Sequence, residues 1–199
     1  MATIKEVAER AHVSVATVSR VLNNSGFVSE ELRERVMEAT HELNYRPSRV
    51  AKSLRHQKTY TIGVLVPQLD LPFFSRLTLA VQQTLANSEY YTLVASSMED
   101  AEQEDAYIEM MIGQRVDGVI LVPTGHSLSN IGRLVEADVP TVIVDRDVDG
   151  YPQIERILCD NETGAYDAVC HLLKQGHREI GLVGGPDYSV PIQDRVSGY

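Results

Sequence analysis

A chain of 199 residues, 43% of them hydrophobic, can bury a real core as one medium domain, or as a small domain plus part of another, which speaks against wholesale disorder. No apolar run reaches membrane-spanning length, and the charged opening MATIKEVAERA lacks the apolar stretch of an export signal, so a cytoplasmic protein is expected. The net charge of −10 is unevenly spread: residues 1–60 carry 10 lysines and arginines against 7 acidic residues, the remainder 8 against 21, which suits a protein that turns one end toward phosphates.

The first segment reads as three short helices. Thr3 and Glu6 have the T-x-x-E spacing of a capping box, and Ile4, Val7, Ala8 and Ala11 follow at helical intervals. Ser14 is a good N-cap for a second helix ending near Asn23, with Val18, Val21 and Leu22 on one face and Val15, Ala16, Ser19 and Arg20 on another. After the breakers Asn23-Asn24-Ser25-Gly26, Ser29 is expected to cap a third helix striped with Leu32, Val36, Ala39 and Leu43. Pro47 stops it, and Ser48 can cap one more short helix, 49–55, before a polar linker to Thr59.

From Tyr60 short β-branched runs alternate with helical stretches. Strands are expected at 61–67, 92–97, 117–123 and 141–145, with helices near 74–88, 101–114 and 127–137. Nearly continuous apolar strands separated by helices predict a doubly wound parallel sheet covered on both faces. Beyond Asp160 the pattern restarts with a helix, 162–175, and a strand, 179–185. A restarted layer with so few strands cannot cover its own faces, so the sequence is expected to be cut short and poorly able to close around a ligand. Cys159 and Cys170 match neither CxxC nor a zinc pattern and are expected to be small buried thiols. No HExxH, GxSxG or phosphate-loop spacing is present, so neither catalysis, a metal nor a cofactor is expected.

The stretch V-A-x-x-A-x-V-S-x-x-T-V-S-R-V-L-N, the later L-N-Y-x-P and the A-x-S-L at 51–54 resemble the LacI/GalR family of bacterial transcriptional regulators. The similarity continues through LPFFS, RVDGVIL, VPTVIVDR, CDNETGA, GHREIGLVGGP and RVSGY. The head resembles the purine- and ribose-type repressors, the body members that sense sugars or related small molecules. The resemblance implies a lambda-repressor-like helix-turn-helix head (1–47), a hinge helix and linker (48–59), the N-terminal subdomain of a periplasmic-binding-protein-like domain (60–160) and an incomplete C-terminal subdomain (161–199). It also implies a homodimer that reads a palindromic double-stranded operator, most often as a repressor. A solute-binding protein without a regulatory role shares the body's fold and is the alternative.

On that resemblance Val15 and Ala16 stand at base-reading positions, where they can touch a thymine methyl, and Arg20 one turn later can bond a guanine edge bidentately. Arg20 can equally be a solvated surface arginine. Thr3, Ser14, Thr17, Ser19, Asn23 and Arg49 are the implied remaining DNA contacts, although Thr17 can equally be a packing residue. Leu54 stands where family members wedge a leucine into a minor-groove step, or it packs on its own domain. Asp70, Phe73, Phe74, Asp145, Arg146 and Arg195 match effector positions, ring faces and charges suited to a polyol. Leu71 departs from the asparagine common in sugar-binding members. The phenylalanines can instead be core, and Asp145 and Arg146 a structural ion pair.

Overall fold

The computed structural model describes residues 2–46, 58–88, 90–125 and 129–199. The expected hinge helix, with Arg49 and Leu54, lies outside the described residues. The chain divides into two compact units, residues 1–57 and 58–199.

In the first unit, helices α1 (Ile4–Arg10), α2 (Val15–Leu22) and α3 (Glu30–Glu42) enclose Val7, Val18, Val21, Val36 and Ala39. Burying a valine side chain contributes roughly 1.5–3 kcal/mol, and this small cluster is what binds three helices too short to persist alone. The capping box forms: the Glu6 amide donates to Thr3 Oγ1 and the Thr3 amide to Glu6 Oε2 at 2.7 Å. The turn into α2 passes through His12 in the left-handed region (φ 52°), and the Arg35 guanidinium of α3 donates to the carbonyls of Ala11 and His12 at that turn. Ser29 departs from expectation. It holds the extended N-cap backbone of α3 but makes no side-chain capping bond, leaving Glu30 and Glu31 to favour the helix start by charge alone.

The second unit is a five-stranded, fully parallel sheet in the order β2-β1-β3-β4-β5. Its strands are β1 (Thr61–Val66), β2 (Tyr91–Ser96), β3 (Gly118–Leu121), β4 (Thr141–Val144) and β5 (Glu155–Ile157). Helices α4 (Pro72–Ala86), α5 (Ala101–Gly113) and α6 (Ser129–Glu136) connect the first four. Successive side chains on a strand face opposite ways, and the core divides accordingly. Leu65, Leu121 and Ile143 meet Ile108, Met111, Ile131 and Leu134 on the α5/α6 face. Val64, Val66, Val122 and Val144 meet Phe74 of α4 on the other. Gly63 is needed on β1, because a Cβ there would stand 2.5 Å from Met111 Sδ. The strand order reverses at β1, and the loops leaving β1, β2, β3 and β4 gather at one edge, where open α/β sheets place ligands.

Two helices follow, α7 (Asn161–Lys174) and α8 (Val190–Gly198). Two expectations are corrected here, and two elements are added. Residues 179–185 form no strand: apolar residues alone do not make one without a hydrogen-bonding neighbour, and no described strand pairs with them. Strand β5 and helix α8 are the elements that the sequence pattern did not reveal. The cysteines are not buried, since Cys159 is exposed and Cys170 half-buried on α7, both as free thiols. Among the described residues, no helix is long and apolar enough to cross a membrane.

Candidate functional site

The head presents one chemical face. Ser14 caps α2 by accepting from the Thr17 amide at 3.1 Å, and its hydroxyl shares a second hydrogen bond with Thr17 Oγ1 at 2.9 Å. With Val18 and Val21 buried, helical geometry turns Val15, Ala16 and Arg20 outward, and all three are exposed. An open groove of about 880 Å3 runs beside this face, lined by Lys5, Glu9, His12, Val13, Ser14 and Val15 among others, and is a surface depression between α1 and α2.

The short polar residues are less free than their positions suggest. The Thr3 hydroxyl donates to Glu6 Oε2 at 3.0 Å, and the Asn23 amide donates to both the carbonyl and the hydroxyl of Ser19 at 2.9 and 3.2 Å. Thr17 is half-buried against Ser14 rather than packed in the core. Any phosphate contact from Thr3 or Asn23 must first exchange a local bond.

In the body, five of the six candidate residues come together near the carboxyl edge of the sheet and one stands apart. Phe74 is 5% exposed and part of the core, whereas Phe73 is half-exposed and meets it edge to face at 5.2 Å between ring centres. Arg146, just after β4, lies over the Phe74 ring at 5.9 Å. Asp145 follows β4 with φ at 69°, a left-handed conformation that aspartate tolerates better than most residues. Its half-buried carboxyl is raised above the usual carboxylate value, chiefly by desolvation and against the charges of Arg146 and Arg195. Arg195 of α8 stands across from it with Nε on Asn161 Oδ1 at 2.9 Å. Asp70 is exposed in the turn before α4 and joins none of these contacts; Leu71 is the N-cap of α4.

The ion pair that forms is not the one between neighbours. Arg146 grips Glu99 with both terminal nitrogens, Nη2 to Oε1 at 2.7 Å and Nη1 to Oε2 at 2.8 Å, and Nη1 also reaches the Pro123 carbonyl at 3.2 Å. Burial opposes its charge, but the hydrogen bonds and charge of Glu99 outweigh this and raise the Arg146 pKa. Behind the pair sits Glu104 of α5, fully buried, accepting from the Thr124 amide at 2.8 Å. Desolvation raises its pKa, against the lowering influence of that hydrogen bond, of Asn130 and of Arg146. The sequence reading missed Glu99, Glu104, Thr124 and Asn130. A signal existed for Glu104, which shares the buried stripe of α5 with Ile108 and Met111, where a carboxylate is out of place. No local pattern marks Glu99.

Fold and surface together define a helix-turn-helix head joined in sequence to a parallel α/β ligand-binding type of domain. Residues 3–48 match the model for bacterial regulatory proteins of the lacI family, and residues 59–199 that for periplasmic binding proteins and the sugar binding domain of the LacI family. The chain belongs to the LacI family. It is 40% identical over its whole length to a ribose operon repressor of Halalkalibacterium halodurans, and 36% identical, again over all of it, to the transcriptional repressor PurR of Aliivibrio salmonicida. It covers 59% and 60% of those proteins, so it spans about three fifths of the length of the curated relatives it matches. Among solved structures, the lac repressor dimer bound to operator and the anti-inducer ONPF superposes with a TM-score of 0.83 at 33% identity. That match covers 99% of this chain and 60% of the repressor. The regulator CelR in complex with cellobiose gives 0.64 at 30% identity, covering 100% of this chain and 60% of that one.

Proposed function

We propose that this chain is the DNA-reading and effector-facing part of a cytoplasmic transcriptional regulator, a repressor that acts as a homodimer, needs no cofactor and catalyses no reaction. The observation that carries the proposal is the division of α2. Val18 and Val21 anchor it in the head while Val15, Ala16 and Arg20 project together from its first two turns, where a recognition helix meets base edges. Ser14, Thr17 and Ser19, with Thr3, Asn23 and Arg49, then contact phosphates, and Leu54 enters a minor-groove step. The names of the relatives, a ribose operon repressor and the transcriptional repressor PurR, favour this reading over that of a solute-binding protein.

The effector is a small hydroxyl-rich metabolite, a sugar or a related compound. Exposed Phe73 offers a ring face and Asp145 a half-buried acceptor, with Arg146, Arg195 and Asp70 at the margins. Two copies related by a twofold axis require a palindromic site with half-sites about 34 Å apart or a multiple of that. A gel-shift selection from random palindromic duplexes tests the function. Enrichment of one palindrome, bound at least about a thousandfold more tightly than random duplex, is expected. Equal affinity for both would overturn it.

A further inference from the structure

We propose that Glu99 is a specificity-determining residue of the effector site, neutralising Arg146 so that the site presents no uncompensated cation to a phosphorylated ligand. The inference rests on the effector reading above for its biological meaning, but its physical content is a charge balance that can be measured alone.

Arg146 would ordinarily be the group that attracts an anion, since its fork matches phosphate as well as carboxylate. Here both arms of the fork hold Glu99, and the pair is sheltered, with side-chain exposures of 11% for Arg146 and 19% for Glu99. The Pro123 carbonyl takes a further proton of Nη1, and the Phe74 ring covers one face. Nε–H and one Nη2–H are without a partner among the described residues; they lie on one side of the guanidinium and can bond a hydroxyl, while the charge that would draw a phosphate to them is balanced by Glu99.

The backbone underlines the arrangement. Met98 and Glu99, in the loop after β2, are consecutive left-handed residues, with φ of 55° and 58°, and Asp145 beside Arg146 is a third. Strain of this kind persists where surrounding structure holds it. The Arg146–Glu99 bond joins the two loops. The other titratable groups facing the pair are Asp145, Glu104, Tyr188 and, through Asp145, Arg195. Two of those four are carboxyls, Tyr188 is a phenol, and Arg195 already donates to Asn161. A phosphate arriving here meets carboxylates around a cation that is already paired. A neutral polyol donates to Asp145 and accepts from the remaining Arg146 protons.

The test is calorimetric titration of inorganic phosphate, and separately of neutral D-ribose, into the 199-residue chain and its variants. The unaltered chain is expected to show no phosphate binding that depends on Arg146. Glu99→Gln is expected to bind phosphate roughly tenfold or more tightly, because a half-buried guanidinium is released. The gain should vanish in the double variant with Arg146→Gln. Glu99→Asp, which keeps the charge, should refuse phosphate as the parent does. If Glu99→Gln does not fold by circular dichroism, Glu99→Ser carries the same test. Phosphate binding by the parent chain that is lost on Arg146→Gln overturns the proposal, as does a folded Glu99→Gln or Glu99→Ser with no gain. D-ribose reports separately: saturable ribose binding supports the sugar reading, while the phosphate results alone decide the role of Glu99.

Discussion

Arg20 and Glu104 illustrate how one side chain's surroundings decide its part. Arg20 is exposed on the face of α2 opposite Val18 and makes no ion pair among the described residues, so its fork is available for a base edge. Arg20→Ala is expected to weaken operator binding by about 1–3 kcal/mol and to relax preference at one base pair per half-site. Competition gels with single-base operator variants check this, since a mere phosphate contact would lower affinity for all duplexes alike. Glu104 is the opposite case, a carboxyl fully buried behind the ligand edge with a raised pKa. A raised folded-state pKa means that folding favours the protonated form. Its contribution is therefore complete below the ordinary carboxylate value of 4.5 and is lost as pH rises through the higher folded value. Glu104→Gln keeps an oxygen for the Thr124 amide without the charge. It is expected to remove that fall, so that its urea midpoint gains on the parent's as pH is raised from 4 toward 7.

Secondary elements here owe their stability to a few local contacts. Ser14→Ala should cost about 0.5–2 kcal/mol of head stability, because the Thr17 amide at the start of α2 loses its cap. Thermal unfolding of the variant, followed by helical dichroism, measures it. The α7–α8 pair depends on close approach: a Cβ on Gly198 would stand 2.1 Å from the Glu162 carbonyl oxygen, which is backbone and cannot swing aside. Gly198→Ala is therefore expected to separate the helices at a cost of about 1–3 kcal/mol. It should also loosen the Arg195–Asn161 bond carried on the same contact, which urea titration and the exchange rates of α8 amides would reveal. Strand β5 shows a different kind of support. Arg156 donates to Asp147 Oδ1 and to the carbonyls of Val148, Tyr151 and Ile154, tying the whole β4–β5 excursion to a three-residue strand.

For the whole molecule, the uneven charge has a measurable consequence. A head with more basic than acidic residues is attached to a body with 8 basic and 21 acidic ones, so attraction to phosphates is local while the body is repelled. Operator affinity should fall linearly with the logarithm of salt concentration, with a slope of roughly −0.9 per phosphate neutralised. Gel shifts between about 50 and 200 mM salt measure that slope, and a flat response would contradict a binding mode led by backbone phosphates.

Much of this protein was legible in its sequence because the signals are local. The capping box at Thr3 and Glu6, the stripe of Val18 and Val21 and the β-branched runs of β1 to β4 each reflect hydrogen bonds or periodicities within a few residues, and each element formed close to its expected bounds. The apolar run at 179–185 shows the limit of such signals, since a strand also needs a partner that no local pattern supplies. β5 was missed because three residues cannot display an alternation, and its hold comes from Arg156 reaching back across its loop. The candidate ligand edge was legible only in part. Phe73, Phe74, Asp145 and Arg146 were found through family likeness, but which of them is core, which is paired and which is open depends on contacts across 20 to 50 residues of chain. Arg146 meets Glu99 rather than its neighbour Asp145, and Glu104 meets Thr124, because the parallel sheet brings successive loops to one edge. Sequence alone determined the three head helices and the alternating elements from β1 to β4; only the tertiary structure decided which charge faces which, since that pairing is a property of the gathered loops and of no single segment.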